Sequence, residues 1–430
     1  MPISIHRLTV LLAAVLLAAG CATNPVTGER ELSLYGEDWE RAVGEQHYAP
    51  LRQSQGGDFV LDPELVAYVQ QVGQDVAAHS DRELPYEFHV LNSSVPNAWA
   101  LPGGKISINR GLLTEMESEA ELAAVLGHEV VHSAARHGAQ AQSRAALAQG
   151  AVILGGVAVG VATEREDYAA VTMMAGMLGA QLITQRYSRN AEREADYYGT
   201  RYMHRAGYNP MGAVRLQESF VRLSEAREPG FMQGLFASHP PSPERVENNR
   251  RLADELGREG TTGEARYQRM IARIKELEPA YEAHDKGREA LAEGDYDSAL
   301  ARADEALAME DGEALFHALK GDALASQDRL DEAERAYSAA LQRDSGWFYQ
   351  HLRRGMVRER TGNHAGARAD LEASIERLPT AQGHFHLGNV ERDSGNRNRA
   401  IEQYRIAAQS EGEVGQRARQ ALSDMGAGQG

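Results

Sequence analysis

Cysteine is nearly absent: Cys21 is the single one in 430 residues. No intrachain disulfide and no thiolate zinc site can be built from it. Basic charge is in deficit, with 45 Lys+Arg against 62 Asp+Glu and a net charge of −17. The chain as a whole therefore repels phosphate, and nucleic acid and anionic lipid surfaces are excluded as default partners. Long apolar runs are missing too, since none reaches the roughly 18 residues that a membrane-spanning helix needs. A soluble or peripherally anchored protein is expected. Hydrophobic residues at 42% and charged residues at 25% are ordinary globular usage. At roughly 150 residues per domain, the length allows two or three domains, each with its own core.

The position of the one thiol is informative. Met1 to Arg7 is a short basic start, Leu8 to Ala19 is apolar, and Ala18-Ala19-Gly20 supplies small residues before Cys21, the layout of an export signal. Signals ending this way resemble bacterial lipoprotein signals, in which the thiol is acylated. Residues 1–20 are thus expected to be a signal peptide with lipid attachment at Cys21, and the polar, turn-rich segment 21–36 a tether.

Beyond the tether, Pro63 to Ala78 has helical apolar spacing. Phe88 to Leu91 and Lys105 to Asn109 read as short strands around a Pro- and Gly-containing loop, Asn92 to Gly104. The second strand, Lys105-Ile106-Ser107-Ile108-Asn109, alternates in polarity as an edge strand would. Helices are expected from Glu117 to Gln149 and from Ala191 to Arg205, with a short apolar helical hairpin, 151–183, between them; either it is buried or its tips rest on a membrane. In the last third, glycines recur at Gly287, Gly321, Gly355 and Gly388. A turn residue follows each (Gly294, Asp328, Gly362, Gly395), then an alanine (Ala299, Ala333, Ala367, Ala400). This period of about 34 residues resembles the tetratricopeptide repeat, and four consecutive copies make a solenoid whose concave face is free for a partner.

His128-Glu129-Val130-Val131-His132 lies in a helical stretch. Residues four apart share a helix face, so both imidazoles can reach one zinc ion, with Glu129 beside the open coordination position. Downstream, Glu192 and Asp196 are again four apart on a helical sequence. Glu192 can complete a His2Glu site. Asp196 can hold a ligand histidine by its second ring nitrogen or keep a proton near the leaving group. Glu194 should point away from Glu192, and His137, rotated off the His132 face, reads as structural or exposed. The repeat histidines His284, His317, His351, His364, His384 and His386 read as surface residues.

With Cys21 to Gly28 (CATNPVTG), Asn97 to Gly104 (NAWALPGG), the HEVVH helix, Glu192 to Asp196 and Ser238-His239-Pro240, the chain resembles the HtpX and CAAX prenyl endopeptidase superfamily of zinc peptidases. It is most similar to the periplasmic BepA-like and LoiP-like members. The resemblance implies a mainly α fold: a gluzincin-type α+β metallopeptidase domain with a small sheet at 37–275, followed by an α-solenoid of tetratricopeptide repeats at 281–425. It implies one zinc ion held by His128, His132 and Glu192, with Glu129 as general base and Asp196 as proton donor or orienting acid. His239 corresponds to a loop histidine that sits on or near the metal, as a latch or as a hydrogen-bond donor to the oxyanion.

An extended substrate is expected to add along Asn97, Ala98 and the strand Lys105, Ile106, Ser107, Ile108 and Asn109. The expected function is a lipid-anchored endopeptidase at the periplasmic face of the outer membrane. Its expected partners are unfolded or misassembled envelope proteins and, through the repeats, the outer-membrane assembly machinery. The alternative is a periplasmic chaperone or assembly adaptor with a latched metal site. A prenyl-protein endopeptidase is disfavoured, because no run is long enough to span a membrane.

Overall fold

A computed structural model describes residues 21–148, 186–226, 232 and 234–427; the apolar hairpin expected at 151–183 lies outside them. The described residues fall into two compact units, one from 21–48, 64–148 and the described part of 186–271, the other from 49–63 and 272–427. None of the described helices is long and apolar enough to cross a membrane.

The first unit opens with strands β1 (Cys21–Thr23) and β2 (Arg30–Leu32), paired antiparallel with Cys21 opposite Leu32. A polar, turn-rich tether was expected over 21–36. The turn residues instead close a hairpin: Asn24 Oδ1 accepts from the amides of Val26 and Thr27 at 2.9 and 3.3 Å, and Gly28 takes the left-handed φ of 74° that glycine tolerates. Helices α1 (Glu37–Ser54) and α2 (Pro63–Ala77) follow, then β3 (Glu87–Leu91), β4 (Ala98–Leu101) and β5 (Lys105–Asn109). The segment 92–104, expected to be irregular throughout, therefore contains a strand.

The sheet order is β3-β5-β4, which corrects the expected edge position of Lys105 to Asn109. This strand is central, parallel to β3 and antiparallel to β4. Lys105, Ile106, Ser107, Ile108 and Asn109 are all buried. Their polar members alternate because they are paired, not because they face water. Lys105 bridges to Glu87, Ser107 Oγ lies 3.4 Å from the Tyr48 hydroxyl, and Asn109 Nδ2 donates to Val95 O at 2.8 Å.

After the short α3 (Arg110–Leu113) comes α4 (Glu119–Ala134). Ser118 Oγ accepts from the Glu121 amide at 3.3 Å while the Glu121 carboxylate accepts from Ser118 Oγ at 3.0 Å and from the Glu117 amide at 2.9 Å, a capping box that starts the helix. α4 is buried on almost every face, as a central core helix must be. It ends earlier than the expected Gln149. Ala135 caps it, and Arg136 adopts a left-handed φ of 64°, held by Glu40 at 2.6 Å and Tyr35 O at 2.7 Å. The chain then re-enters α5 (His137–Ala148) in a new direction.

α6 (Arg189–Arg205), capped by Ser188, crosses α4. A Cβ built on Gly199 would stand 2.8 Å from the backbone carbon of Gly127, so the two main chains touch at that crossing. α7 (Met211–Ala226), the short α8 (Leu235–Ser238) and α9 (Pro243–Leu256) complete the walls of the site, and α10 (Glu264–Glu276) follows.

The second unit carries four antiparallel helix pairs, α11/α12 (Glu278–Glu293, Tyr296–Met309), α13/α14 (Ala314–Ser326, Leu330–Arg343), α15/α16 (Phe348–Arg360, His364–Arg377) and α17/α18 (Ala381–Asp393, Arg397–Ala407), and then α19 (Glu413–Asp424). All four periodic turn residues, Asp328 included, have left-handed φ between 62° and 84°. At three of the periodic glycines, the nearest obstacle to a Cβ is a side chain at one repeating position, four residues after the periodic alanine: Tyr337 for Gly321, Leu371 for Gly355, Tyr404 for Gly388.

The repeat histidines are a correction: His317 and His384 are buried and the other four half-buried, because the helices of neighbouring repeats cover them. Fully buried Asp322 accepts from Tyr337 and Tyr349 hydroxyls at 2.6 and 2.7 Å and from Arg353 Nε at 2.8 Å, pinning the second pair to the third. Asp322→Ala strands the half-buried Arg353 guanidinium and two hydroxyls. It is expected to cost about 3 kcal/mol of repeat stability, read as a lower urea midpoint for the repeat transition. An unchanged midpoint would count against the pin.

Candidate metal centre

The close crossing of α4 and α6 sets the site. It turns His128 and His132 of α4 toward Glu192 and Asp196 of α6, and the four-residue spacings put each pair on one face. His128 Nε2 and His132 Nε2 are 3.0 Å apart, and the Glu192 carboxylate lies 3.6 and 3.5 Å from them. His239, the residue after α8, enters the same space, with Nδ1 2.9 Å from Glu192 Oε1 and 3.3 Å from His128 Nε2. One donor atom from each of His128, His132, Glu192 and His239 falls within 4.8 Å of all the others, and all four residues are buried.

Asp196 is placed against the outer nitrogen of His128. Its Oδ1 lies 3.1 Å from His128 Nδ1. That nitrogen therefore carries the hydrogen, and the lone pair of Nε2 faces the cluster. Asp196 is itself gripped by Arg245 of α9, at 2.6 and 2.7 Å, and the same guanidinium reaches Glu192 at 3.0 Å. Arg245 was not singled out in the sequence; only Ser242-Pro243, a cap followed by proline at the first turn, marks the helix that carries it.

His137 was expected off the ligand face and Glu194 away from the site. Glu194 does turn from the four donors. The left-handed Arg136, however, folds His137 back so that its Nδ1 lies 2.9 Å from His132 Nδ1, and its Nε2 lies 3.2 Å from Glu194. Tyr187 stacks on His132, with ring centroids 4.0 Å apart, another neighbour that spacing does not reveal.

Burial governs the charges. It would push the Glu192 carboxyl up, but His239 and Arg245 outweigh it and hold that carboxyl down to about 2. Against the same burial, Arg245 holds Asp196 well below the usual carboxylate range. Glu129 is pushed up, chiefly by burial. His132 is pushed well down by burial and then by the surrounding cations and imidazoles, which keeps it a neutral donor.

Buried, converging nitrogen lone pairs with one carboxylate repel one another unless a cation lies between them, and two or three imidazoles with a carboxylate are a donor set that suits zinc. The residues fit a metal ion. Glu129 is one position from His128 but outside the donor set; its Oε1 is 3.8 Å from His239 Nε2 and its buried Oε2 has no hydrogen-bond partner among the described residues. Val125, Leu216, Phe220 and Leu235 line an apolar recess that opens onto Glu129 and His239.

This donor set sits inside a stretch, residues 63–253, that matches the model of Peptidase family M48. Over these residues the chain is similar to that peptidase family. Behind that stretch, residues 284–346 and 352–414 match a tetratricopeptide repeat model. The chain is 30% identical over 222 residues to a putative beta-barrel assembly-enhancing protease of Vibrio cholerae, covering 50% of this chain and 44% of that protein. It is 26% identical over 256 residues to the beta-barrel assembly-enhancing protease of Escherichia coli, covering 59% and 51%. It is 29% identical over 226 residues to the mitochondrial metalloendopeptidase OMA1 of Schizosaccharomyces pombe, covering 52% and 63%. The chain spans about half the length of the bacterial relatives it matches.

Lys105 to Asn109, the strand expected to bind substrate, cannot do so by strand addition. As the central strand it has both edges occupied. β4, which starts at Ala98 directly after Asn97, pairs among the described residues with β5 on one side only and packs against α4.

Proposed function

We propose that this chain is a zinc-dependent endopeptidase, held by a lipid on Cys21 at the periplasmic face of the outer membrane. On this reading it cleaves unfolded or misassembled envelope proteins, and its repeats dock them or the outer-membrane assembly machinery. The observation that carries the chemistry is the buried convergence of His128, His132 and Glu192 beside the Glu129 carboxylate, whose Oε2 has no hydrogen-bond partner among the described residues. The M48 match and the relatives named as proteases of beta-barrel assembly support the reaction class and the substrate class. The export-signal layout before Cys21 supports the location.

Zinc, when bound, supplies a Lewis acid that polarises the scissile carbonyl and acidifies water. The chain's own residues do the rest. Glu129 takes the proton of the attacking water and passes it to the leaving amine. Asp196, fixed by Arg245, orients His128. The unpaired side of β4 offers backbone groups to an extended peptide, and the recess at Val125, Leu216 and Phe220 takes an apolar side chain next to the cleaved bond. A second reading, a chaperone or adaptor with a latched metal site, is favoured by one observation: His239 lies within the donor set.

Purified protein is expected to carry about one zinc per chain, and His132→Ala or Glu192→Ala to lose it, by elemental analysis after dialysis. Wild-type zinc in both variants would sink the assignment. Cys21→Ser is expected to move the protein from the membrane pellet to the soluble fraction; a variant that stays with membranes in high salt would show that another segment anchors it.

A further inference from the structure

His132 presents Nε2 to the donor set, 3.0 Å from His128 Nε2; its Nδ1 is on the other side of the ring. Hydrogen bonds fix the tautomers from outside inward. The Glu194 carboxylate only accepts, so His137 Nε2, 3.2 Å away, carries its hydrogen. His137 Nδ1 is then an acceptor, and His132 Nδ1, at 2.9 Å, must be the donor. That leaves the Nε2 lone pair of His132 for the metal. His128 receives the same support from Asp196 directly, whereas His132 receives it through an intervening imidazole. His137 is 2% exposed, and its partner carboxylate lies on α6, the helix that supplies Glu192.

Glu194 in turn is not left to solvent. Asn24, 2% exposed, directs Nδ2 toward Glu194 Oε2 at 3.4 Å and toward Glu31 Oε1 at 3.2 Å, and Gln140 of α5 bonds the other oxygen of Glu31. The hairpin is tied to α5 again where the Leu34 amide donates to Ser143 Oγ at 2.9 Å. One chain of contacts thus runs from the β1/β2 hairpin to a metal ligand.

We propose that His137 and Glu194 are positioning residues for the ligand His132, and that the amino-terminal hairpin is a working part of the metal site because Asn24 holds Glu194. The proposal rests on the reading of His132 as a ligand. Hydrogen-bond partners that orient a metal-bound histidine contribute about ten- to a hundredfold in affinity.

The test uses the full chain and reads zinc affinity by chelator competition, the visible spectrum of the cobalt-substituted protein, and thermal melting. Glu194→Ala and His137→Leu are expected to bind zinc about ten- to a hundredfold more weakly, with an altered cobalt spectrum. Glu194→Gln, whose amide oxygen still accepts from His137, is expected to recover most of the loss. Asn24→Ala is expected to weaken zinc in the same direction by a severalfold smaller step. Glu194→Ala with wild-type melting, wild-type affinity and an unchanged cobalt spectrum overturns the proposal. Should that variant fail to fold, Asn24→Ala decides: weaker zinc supports the proposal and wild-type zinc overturns it. Undiminished zinc in His132→Ala overturns the reading of the site itself, whereas loss there with none in folded Glu194→Ala overturns only the present inference.

Discussion

Replacing Glu129 with glutamine is expected to lower cleavage of unfolded casein by about a hundred- to ten-thousandfold, the usual scale for a positioned general base, while zinc content and melting temperature stay at wild-type values. The separation follows from position. Glu129 shares α4 with His128 and His132 but its carboxylate is not among the four donors, and Oε2 has no hydrogen-bond partner to lose among the described residues. Glutamine has the same shape and is neutral, so burial does not penalise it, yet it cannot accept a proton from water. Activity within about tenfold of wild type in a zinc-loaded Glu129→Gln protein would remove Glu129 from the mechanism and leave the adaptor reading in front.

Replacing His239 with alanine is expected to raise that same turnover. With three protein ligands a catalytic zinc keeps a fourth position for water; a fourth protein ligand closes it. His239 Nδ1, 2.9 Å from Glu192 and 3.3 Å from His128 Nε2, is placed as that fourth ligand. If about one molecule in ten has the position open, removing the imidazole raises turnover about tenfold, since apparent activity scales with the competent fraction. A histidine that instead donated to the oxyanion would give the opposite sign, a loss of about a hundredfold. Casein assays at equal zinc content decide between them, and a drop of that size would rule out the latch.

What the sequence discloses about this site is what helix periodicity can carry. His128/His132 and Glu192/Asp196 were legible because four-residue spacing on a helix fixes a shared face before any tertiary contact is known. The solenoid was legible for a similar reason: the glycines, turn residues and alanines repeat at one period, and the left-handed turns at Gly294, Asp328, Gly362 and Gly395 leave their mark in residue type. His239 came only with the family resemblance, since a lone histidine before prolines has no period.

The remainder depends on contacts between segments distant in sequence. Arg245 meets Asp196 from 49 positions away. His137 meets His132 because Arg136, a residue type that rarely takes a left-handed φ, does so when Glu40 and Tyr35 hold its guanidinium. Lys105 to Asn109 misled for a related reason. Alternating polarity distinguishes a strand with one wet face from a strand with two dry ones only if buried polar side chains are rare, and here three polar residues are buried, each with a polar partner.

The contact between Gly127 and Gly199 acts as a pivot between two levers. Glu192 is seven residues from Gly199, about 10 Å along the axis at 1.5 Å per residue, so a tilt of one degree about the crossing displaces it by about 0.2 Å, the whole tolerance of a metal–ligand distance. Side chains elsewhere in the core can exchange methyl groups and leave that angle alone, because it is fixed by two main chains in direct touch. One methyl group at the pivot, standing 2.8 Å from the opposing backbone, has no such freedom: it must lift one lever off the other and carry every ligand on it out of range at once.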